Sequence, residues 1–181
     1  MFNLSTQDVV LSIEKAPLKV VRGIIYQEYA NFFGNTYELD FGKKENFDKL
    51  ENQTQLNRVK LSKDNEVMKK LTVFFMNTTI TKTLEKKFNT TLKFDSVDVW
   101  IDGKGYKLPP HVDDSRIKLH LQVYLSNNNE GTSLYNPEGE LLYTFPFKVN
   151  YGYALYNGAY SYHGVEEVEE DGRTSLYVRY S

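Results

Sequence analysis

The chain has 181 residues, 40% hydrophobic and 25% charged, with a net charge of −2, which is enough for one compact domain with a sizeable core and too little for two. That balance provides no broad basic surface for nucleic acid. No apolar run approaches a membrane span and the start "MFNLSTQDVV" lacks the regions of a secretory leader, so a soluble, cytoplasmic protein is expected. With no cysteine, any metal must be held by nitrogen and oxygen ligands. Three N-x-T sequons, at Asn52, Asn77 and Asn89, are read as chance products of an Asn- and Thr-rich chain.

Residues 1–11 carry no clear period, and a short edge strand is expected around Val9 to Ile13. Residues 17–34 predict a helix. Pro17 suits a first turn, Leu18, Val21, Ile25, Tyr29 and Phe32 recur at helical spacing, and Gly34 can end it; the alternative is a strand, because Val20, Val21, Ile24 and Ile25 are β-branched. Residues 35–61 are polar and read as an irregular connection that hides a short element or acts as a lid. Ser62 offers an N-cap for a helix carrying Val67, Leu71, Phe74, Thr78, Leu84 and Phe88 near one stripe, which the β-branched cluster at residues 78–83 can break in two.

From residue 92 onward the pattern is β. "FDSVDVWID" sets Val97, Val99 and Ile101 against Asp98, Trp100 and Asp102, and "DGKG" predicts a hairpin turn into "YKLPPH". Trp100 and Tyr106 are candidates either for a pocket lining or for plain core packing. "RIKLHLQVYLS" is the clearest strand, with Leu119, Leu121, Val123 and Leu125 in one register and His120, Gln122 and Tyr124 in the other. In the last strand Arg173, Ser175, Tyr177 and Arg179 share one face, and Thr174, Leu176, Val178 and Tyr180 share the face suited to packing on a helix. The whole chain is therefore expected to be a single α+β domain, mainly β with flanking helices, its helical part about 1–91 and its β core about 92–181.

All three histidines fall in this C-terminal half, and two of them stand in a telling order: "PPHVDDSR" gives His111 and Asp113, "SYHGV" gives His163, and "RTSLYVRYS" opens with Arg173. Two imidazoles and one carboxylate on one face of a metal leave the opposite face open, as a non-haem Fe(II) centre requires. H-x-D, a long gap, H and then R-x-S resembles the 2-oxoglutarate- and Fe(II)-dependent oxygenase superfamily, and "KLHLQVYLSNNNEGTSLYN" resembles its prolyl-hydroxylase-like branch, although it has one Gly where many relatives have a pair. The resemblance covers roughly the C-terminal half. It implies a double-stranded β-helix (jelly-roll or cupin-like) with the N-terminal helices packed on one sheet. It also implies iron ligands His111, Asp113 and His163, with Arg173 on the distal carboxylate of 2-oxoglutarate, Ser175 assisting and Tyr124 hydrogen-bonding the cosubstrate.

Charge accounting agrees with that assignment. One carboxylate and two neutral histidines leave a divalent ion with one formal positive charge, which a chelating carboxylate cancels, so the cosubstrate's second carboxylate needs its own cation. A planar arginine supplies it bidentately. Arg179 is the runner-up for that role, and a surface pair of Arg173 with Glu169 or Asp171 is the plain alternative. His120 is a candidate supporting group or substrate contact. The activity implied is hydroxylation of a C–H bond, with Fe(II) as the bound metal, 2-oxoglutarate and O₂ as the consumed cosubstrates and ascorbate as an additional cofactor. The substrate is a prolyl residue of a peptide or protein; a free amino acid or other small molecule, or a non-catalytic module that binds metal or carboxylate, are the alternatives. No nucleic-acid or membrane partner is expected, and oligomeric state is not legible.

Overall fold

The computed structural model describes residues 4–34, 50–53 and 57–181. Among these, the order is α1 (Thr6–Lys15), β1 (Lys19–Val21), β2 (Ile24–Tyr29), β3 (Leu50–Gln53), β4 (Arg58–Leu61), α2 (Glu66–Phe75), α3 (Thr78–Phe88), β5 (Phe94–Asp102), β6 (Leu108–His111), β7 (Leu119–Tyr124), β8 (Thr132–Tyr135), β9 (Leu141–Thr144), β10 (Gly152–Tyr156), β11 (His163–Val165) and β12 (Arg173–Tyr180). An eight-stranded sheet runs β1-β2-β10-β7-β12-β5-β4-β3 and faces a four-stranded sheet, β6-β11-β8-β9, with antiparallel pairing throughout. This is a double-stranded β-helix flanked by helices. No helix among the described residues is long and apolar enough to cross a membrane.

The helices lie on the outer face of the large sheet. Val9 and Ile13 of α1, Met68, Leu71 and Phe75 of α2, and Ile80 and Leu84 of α3 pack on Val97, Val99, Leu119, Leu121, Val123, Leu176 and Val178. Fully burying such aliphatic side chains stabilises the fold by about 1.5–3 kcal/mol each. A second apolar cluster, with Tyr26, Leu134, Phe145, Tyr153 and Leu155, lies between the two sheets. Strand β7 is therefore buried on both faces: Leu119, Leu121 and Val123 face the helices while His120, Gln122 and Tyr124 face the other sheet.

Several local expectations are corrected. The edge strand expected around Val9 is helix α1, whose N-cap Ser5 accepts from the Asp8 amide at 3.2 Å and whose Val9 and Ile13 lie one turn apart on the buried side. The helix expected over residues 17–34 is the hairpin β1-β2. Arg22 and Gly23 adopt φ of 47° and 82°, the two left-handed positions of a tight hairpin turn, and pair Val21 with Ile24. The period is two, with Ile24, Tyr26 and Glu28 on the inner face. Residues 35–61 contain β3 and β4; the expected lid otherwise falls on residues outside those described.

The helix expected to begin at Ser62 is capped instead by Asn65, whose Oδ1 accepts from the Val67 amide at 2.8 Å. It does break in two, at Asn77, which caps α3 in the same way. The turn after β5 is no hairpin. Gly105, at φ 85°, sends the chain across to the small sheet, so that β6 pairs with β11 while β5 pairs with β4 and β12. Pro109 and Pro110 are tolerated because β6 is an edge strand.

Glu28 ties the open end of the sandwich together. Tyr143 and Tyr151 both donate to its Oε1, and Lys19 pairs with its Oε2 at 2.5 Å. Burial alone would raise this carboxyl, but the hydrogen bonds from Lys19, Tyr143 and Tyr151 outweigh it and hold the group below its usual range. A carboxyl whose folded pKa is depressed contributes stability above its unfolded value of 4.5 that disappears as pH falls through the folded value. Glu28→Gln should therefore cost about 1–3 kcal/mol at neutral pH and flatten the fall of stability in the acid range, as read by urea unfolding at a series of pH values.

Candidate metal and cosubstrate site

The sheet pairing that builds the sandwich also assembles the site. His163 of β11 stands opposite His111 of β6, with ring centroids 4.5 Å apart. A side chain on the intervening Gly164 would place its Cβ 2.5 Å from the Leu108 carbonyl oxygen, so glycine is what allows this close approach. Asp113 follows β6 directly and points back between the rings. Its Oδ1 lies 3.7 Å from Nε2 of His111 and 3.6 Å from Nε2 of His163. One ligand atom from each of the three lies within 4.8 Å of the others, a span that a single ion can bridge.

Each donor is oriented by a neighbour. Nδ1 of His111 donates to the Pro109 carbonyl at 2.9 Å and Nδ1 of His163 to the Ser161 carbonyl at 2.9 Å; because a carbonyl only accepts, both rings turn Nε2 toward the gap. Asp113 uses its other oxygen: Oδ2 accepts from Nδ1 of His120 at 2.7 Å and from the Tyr177 hydroxyl at 3.0 Å. Oδ1 is left facing the two Nε2 atoms. Burial, then the nearby His120, hold the His163 imidazole down at about 3, so it stays neutral and ligand-ready. Burial alone would raise the Asp113 carboxyl, but the neighbouring imidazoles, His120 above all, hold it well below the carboxylate range. The hydrogen bond to Asp113 raises His111.

A cavity of about 190 Å³ opens from the two histidines into the space between the sheets. Its far wall is polar: Tyr106, Gln122, Thr132, Tyr153 and Arg173 line it. Arg173 is fully buried; its Nε donates to the Glu130 carbonyl at 2.8 Å and one terminal nitrogen to Asp102 at 2.6 Å. With the contact to Thr132 at 3.4 Å, three of its five N–H groups are engaged. The Tyr106 hydroxyl is buried with no hydrogen-bond partner among the described residues.

Not every residue singled out in the sequence reaches this cavity. Tyr124 is stacked on Phe147 at 3.9 Å and its hydroxyl accepts from the Thr132 amide; neither it nor Ser175 is among the lining residues. The Ser175 hydroxyl is buried and unpaired among the described residues, on the same strand face as Arg173 and Tyr177. Arg179 lines the cavity but is partly exposed and held by Asp98 at 2.6 Å. Trp100 and Tyr106, ambiguous in the sequence, both line it. Sequence reasoning missed Gln122, Thr132, Tyr153 and Arg58. Gln122 alone carried a signal, a polar residue in the same register as His120.

No protein-family model matches the chain, and no curated protein matches it. Solved structures do. A prolyl hydroxylase from Trichoplax adhaerens, in complex with a hypoxia inducible factor oxygen degradation domain peptide, matches at a TM-score of 0.66 and 11% identity over 96% of this chain and 87% of that one. A Pseudomonas putida prolyl-4-hydroxylase matches at 0.61 and 12% over 95% and 96%. The epimerase SnoN, in complex with Fe³⁺, α-ketoglutarate and nogalamycin RO, matches at 0.64 and 11% over 96% and 82%. The chain shares their fold.

The donor geometry predicts one tight site for Mn²⁺, Fe²⁺, Co²⁺ or Ni²⁺, measurable by calorimetry with Mn²⁺. His111→Ala or Asp113→Ala should abolish binding there. Tyr177→Phe, which removes one of the two hydrogen bonds that turn Asp113, should weaken it by about 10–100-fold; full Mn²⁺ affinity in all three variants would place the metal elsewhere.

Proposed function

We propose that the chain is an Fe(II)- and 2-oxoglutarate-dependent dioxygenase that hydroxylates a C–H bond in a peptide or protein segment, with proline the leading target residue. The observation that carries this reading is a three-ligand cluster of the right chemistry at one end of a cavity whose other end holds a fully buried arginine, in a fold shared with proteins of that chemistry. The residues fit both groups. Two Nε2 atoms and one carboxylate oxygen turn toward one point, while Arg173 has spare donors and the Tyr106 hydroxyl is buried without a partner. With iron and cosubstrate bound, the chemistry they supply consumes O₂, releases 2-oxoglutarate as succinate and CO₂, and leaves one oxygen atom on a substrate carbon.

The protein's part is to hold, orient and exclude. His111, Asp113 and His163 would fix the metal through the hydrogen bonds described above. Arg173 would take the distal carboxylate of 2-oxoglutarate as a planar fork, and Tyr106 would complete the cradle with its free hydroxyl, a contact the family resemblance gives to Tyr124. The apolar walls at Leu108 and Val165 keep water from the reacting carbon.

The cavity's size favours a chain substrate over a free metabolite. About 190 Å³ is smaller than the roughly 300–1,000 Å³ of pockets that engulf drug-sized ligands, so once cosubstrate is bound, little more than one side chain fits beside it. His111 and Trp100 stand at the rim, partly exposed, where an extended segment can lie across the mouth. A small-molecule substrate is the second reading, favoured by the likeness to SnoN.

Wild-type protein with Fe²⁺ should convert 2-oxoglutarate to succinate and add 16 Da to members of a proline-containing peptide library, by mass spectrometry. Turnover on free amino acids alone would move the substrate assignment to the second reading; metal and 2-oxoglutarate binding without succinate would leave a non-catalytic module. Arg173→Ala should leave Mn²⁺ binding intact and weaken 2-oxoglutarate by about thirtyfold to several thousandfold, the equivalent of roughly 2–5 kcal/mol for one partner lost from a buried charge pair. Arg173→Lys should recover part of it. If Arg179→Ala is the defective variant instead, the role belongs to Arg179.

A further inference from the structure

Arg173 does not face the cavity alone. Asp102 of β5 lies opposite it across the sheet, and Arg58 of β4 lies opposite Asp102 on the other side, so the three residues form one rung running β4, β5, β12. The side chains follow the backbone. Arg58 grips Asp102 through Nε at 2.6 Å and a terminal nitrogen at 3.3 Å, and Arg173 holds the same carboxylate at 2.6 Å. Asp102 and Arg173 have no exposed side-chain surface, and Arg58 only 16%. The Arg58 guanidinium is clamped between the rings of Trp100 and Tyr106, 4.4 and 4.3 Å from their centroids, and it lines the cavity with Arg173.

The charges decide what this rung can do. Arg173 and Asp102 by themselves sum to zero, and a neutral buried pair offers an incoming carboxylate little net attraction. Adding Arg58 brings the rung to one positive charge. That is the charge a single distal carboxylate needs, in a region where water screens poorly and an unmatched charge is costly.

Resting on the cosubstrate reading above, we propose that Arg58 is a positioning residue for cosubstrate binding: it neutralises Asp102, so that the charge of Arg173 remains available to the distal carboxylate of 2-oxoglutarate. Arg58 acts through Asp102 and need not touch the cosubstrate. Asp102 in turn is what holds the Arg173 fork in one orientation, with Glu130 and Thr132 fixing its remaining edges.

The test is a charge cycle read as 2-oxoglutarate affinity by calorimetry on the Mn²⁺-loaded protein, with Mn²⁺ affinity measured beside it as the control for an intact fold. Arg58→Met leaves Asp102 to cancel Arg173 and should weaken 2-oxoglutarate by about tenfold or more while Mn²⁺ binds normally. The double variant Arg58→Met with Asp102→Asn removes one charge of each sign, restores the net positive charge, and should bind 2-oxoglutarate within about threefold of wild type. Unchanged affinity in Arg58→Met overturns the proposal. So does a double variant that keeps its metal affinity and yet stays as weak as Arg58→Met, since restoring the net charge then fails to restore binding. Should Arg58→Met fail to fold, the double variant alone decides: wild-type-like affinity supports the proposal and loss overturns it. Absence of 2-oxoglutarate binding in the wild-type protein is a different failure, that of the cosubstrate reading itself.

Discussion

Strand β7 is buried on both faces, as is β12 over its first four residues, and most of the molecule follows from what each face must then satisfy. An antiparallel sheet usually leaves one side to water. Here helices cover the outer side and a second sheet covers the inner side over the centre of the large sheet. The outer register can be satisfied by aliphatic packing alone. The inner one carries His120, Gln122, Arg173, Ser175 and Tyr177, and such groups are stable in a dry space only with partners. Hydrogen bonds among them answer most of that demand; the Ser175 hydroxyl is left without a partner among the described residues, as is that of Tyr106, which lines the cavity.

The cavity has an electrostatic division along its length. At one end a single carboxylate, Asp113, is surrounded by three imidazoles and a phenol. At the other, two guanidinium groups share a single carboxylate, Asp102. The first end lacks positive charge that a metal ion would supply, and the second carries one positive charge more than its own residues need. A dianion that chelates a metal through one end and offers a carboxylate at the other matches both requirements at once. Neither end alone is so selective, because histidine clusters and buried arginines are common apart from each other.

Much of this was legible in the sequence, and what was not has identifiable physical causes. His111, Asp113, His163 and Arg173 stand out because their side chains have few other reasons to recur at strand ends. The alternation of residues 173–180 also announced its two faces, since a strand fixes orientation by parity alone. Arg58 was invisible: in a polar stretch a lysine- and asparagine-rich neighbourhood hides any one cation, and its meaning comes from the rung it shares with residues 44 and 115 positions away. Which of Tyr124 and Tyr106 lines the cavity was hidden for a similar reason. Both are tyrosines near the ligands in sequence, and only the stacking of Phe147 on the first and the crossing of the chain after β5 decide which hydroxyl is left free. The hairpin at Arg22-Gly23 was hidden because β-branched residues also matched a helical spacing, and a short window satisfies both periods.

The way the two histidines are held bears on how the site tolerates change elsewhere. Both rings are oriented by a backbone carbonyl two residues upstream, Pro109 for one and Ser161 for the other, so their aim depends on the path of the main chain and hardly at all on neighbouring side chains. Pro109 and Pro110 stiffen that path in the edge strand, and Gly164 lets the adjoining strand come close enough for the rings to meet. Asp113 is the opposite case. It lies beyond the end of β6, and its orientation rests on side chains, His120 and Tyr177, that belong to the other sheet. The donor atoms are therefore set by the small sheet through its backbone and tied to the large sheet through one carboxylate, which makes the separation of the two sheets at Asp113 the distance on which the geometry of the whole site depends.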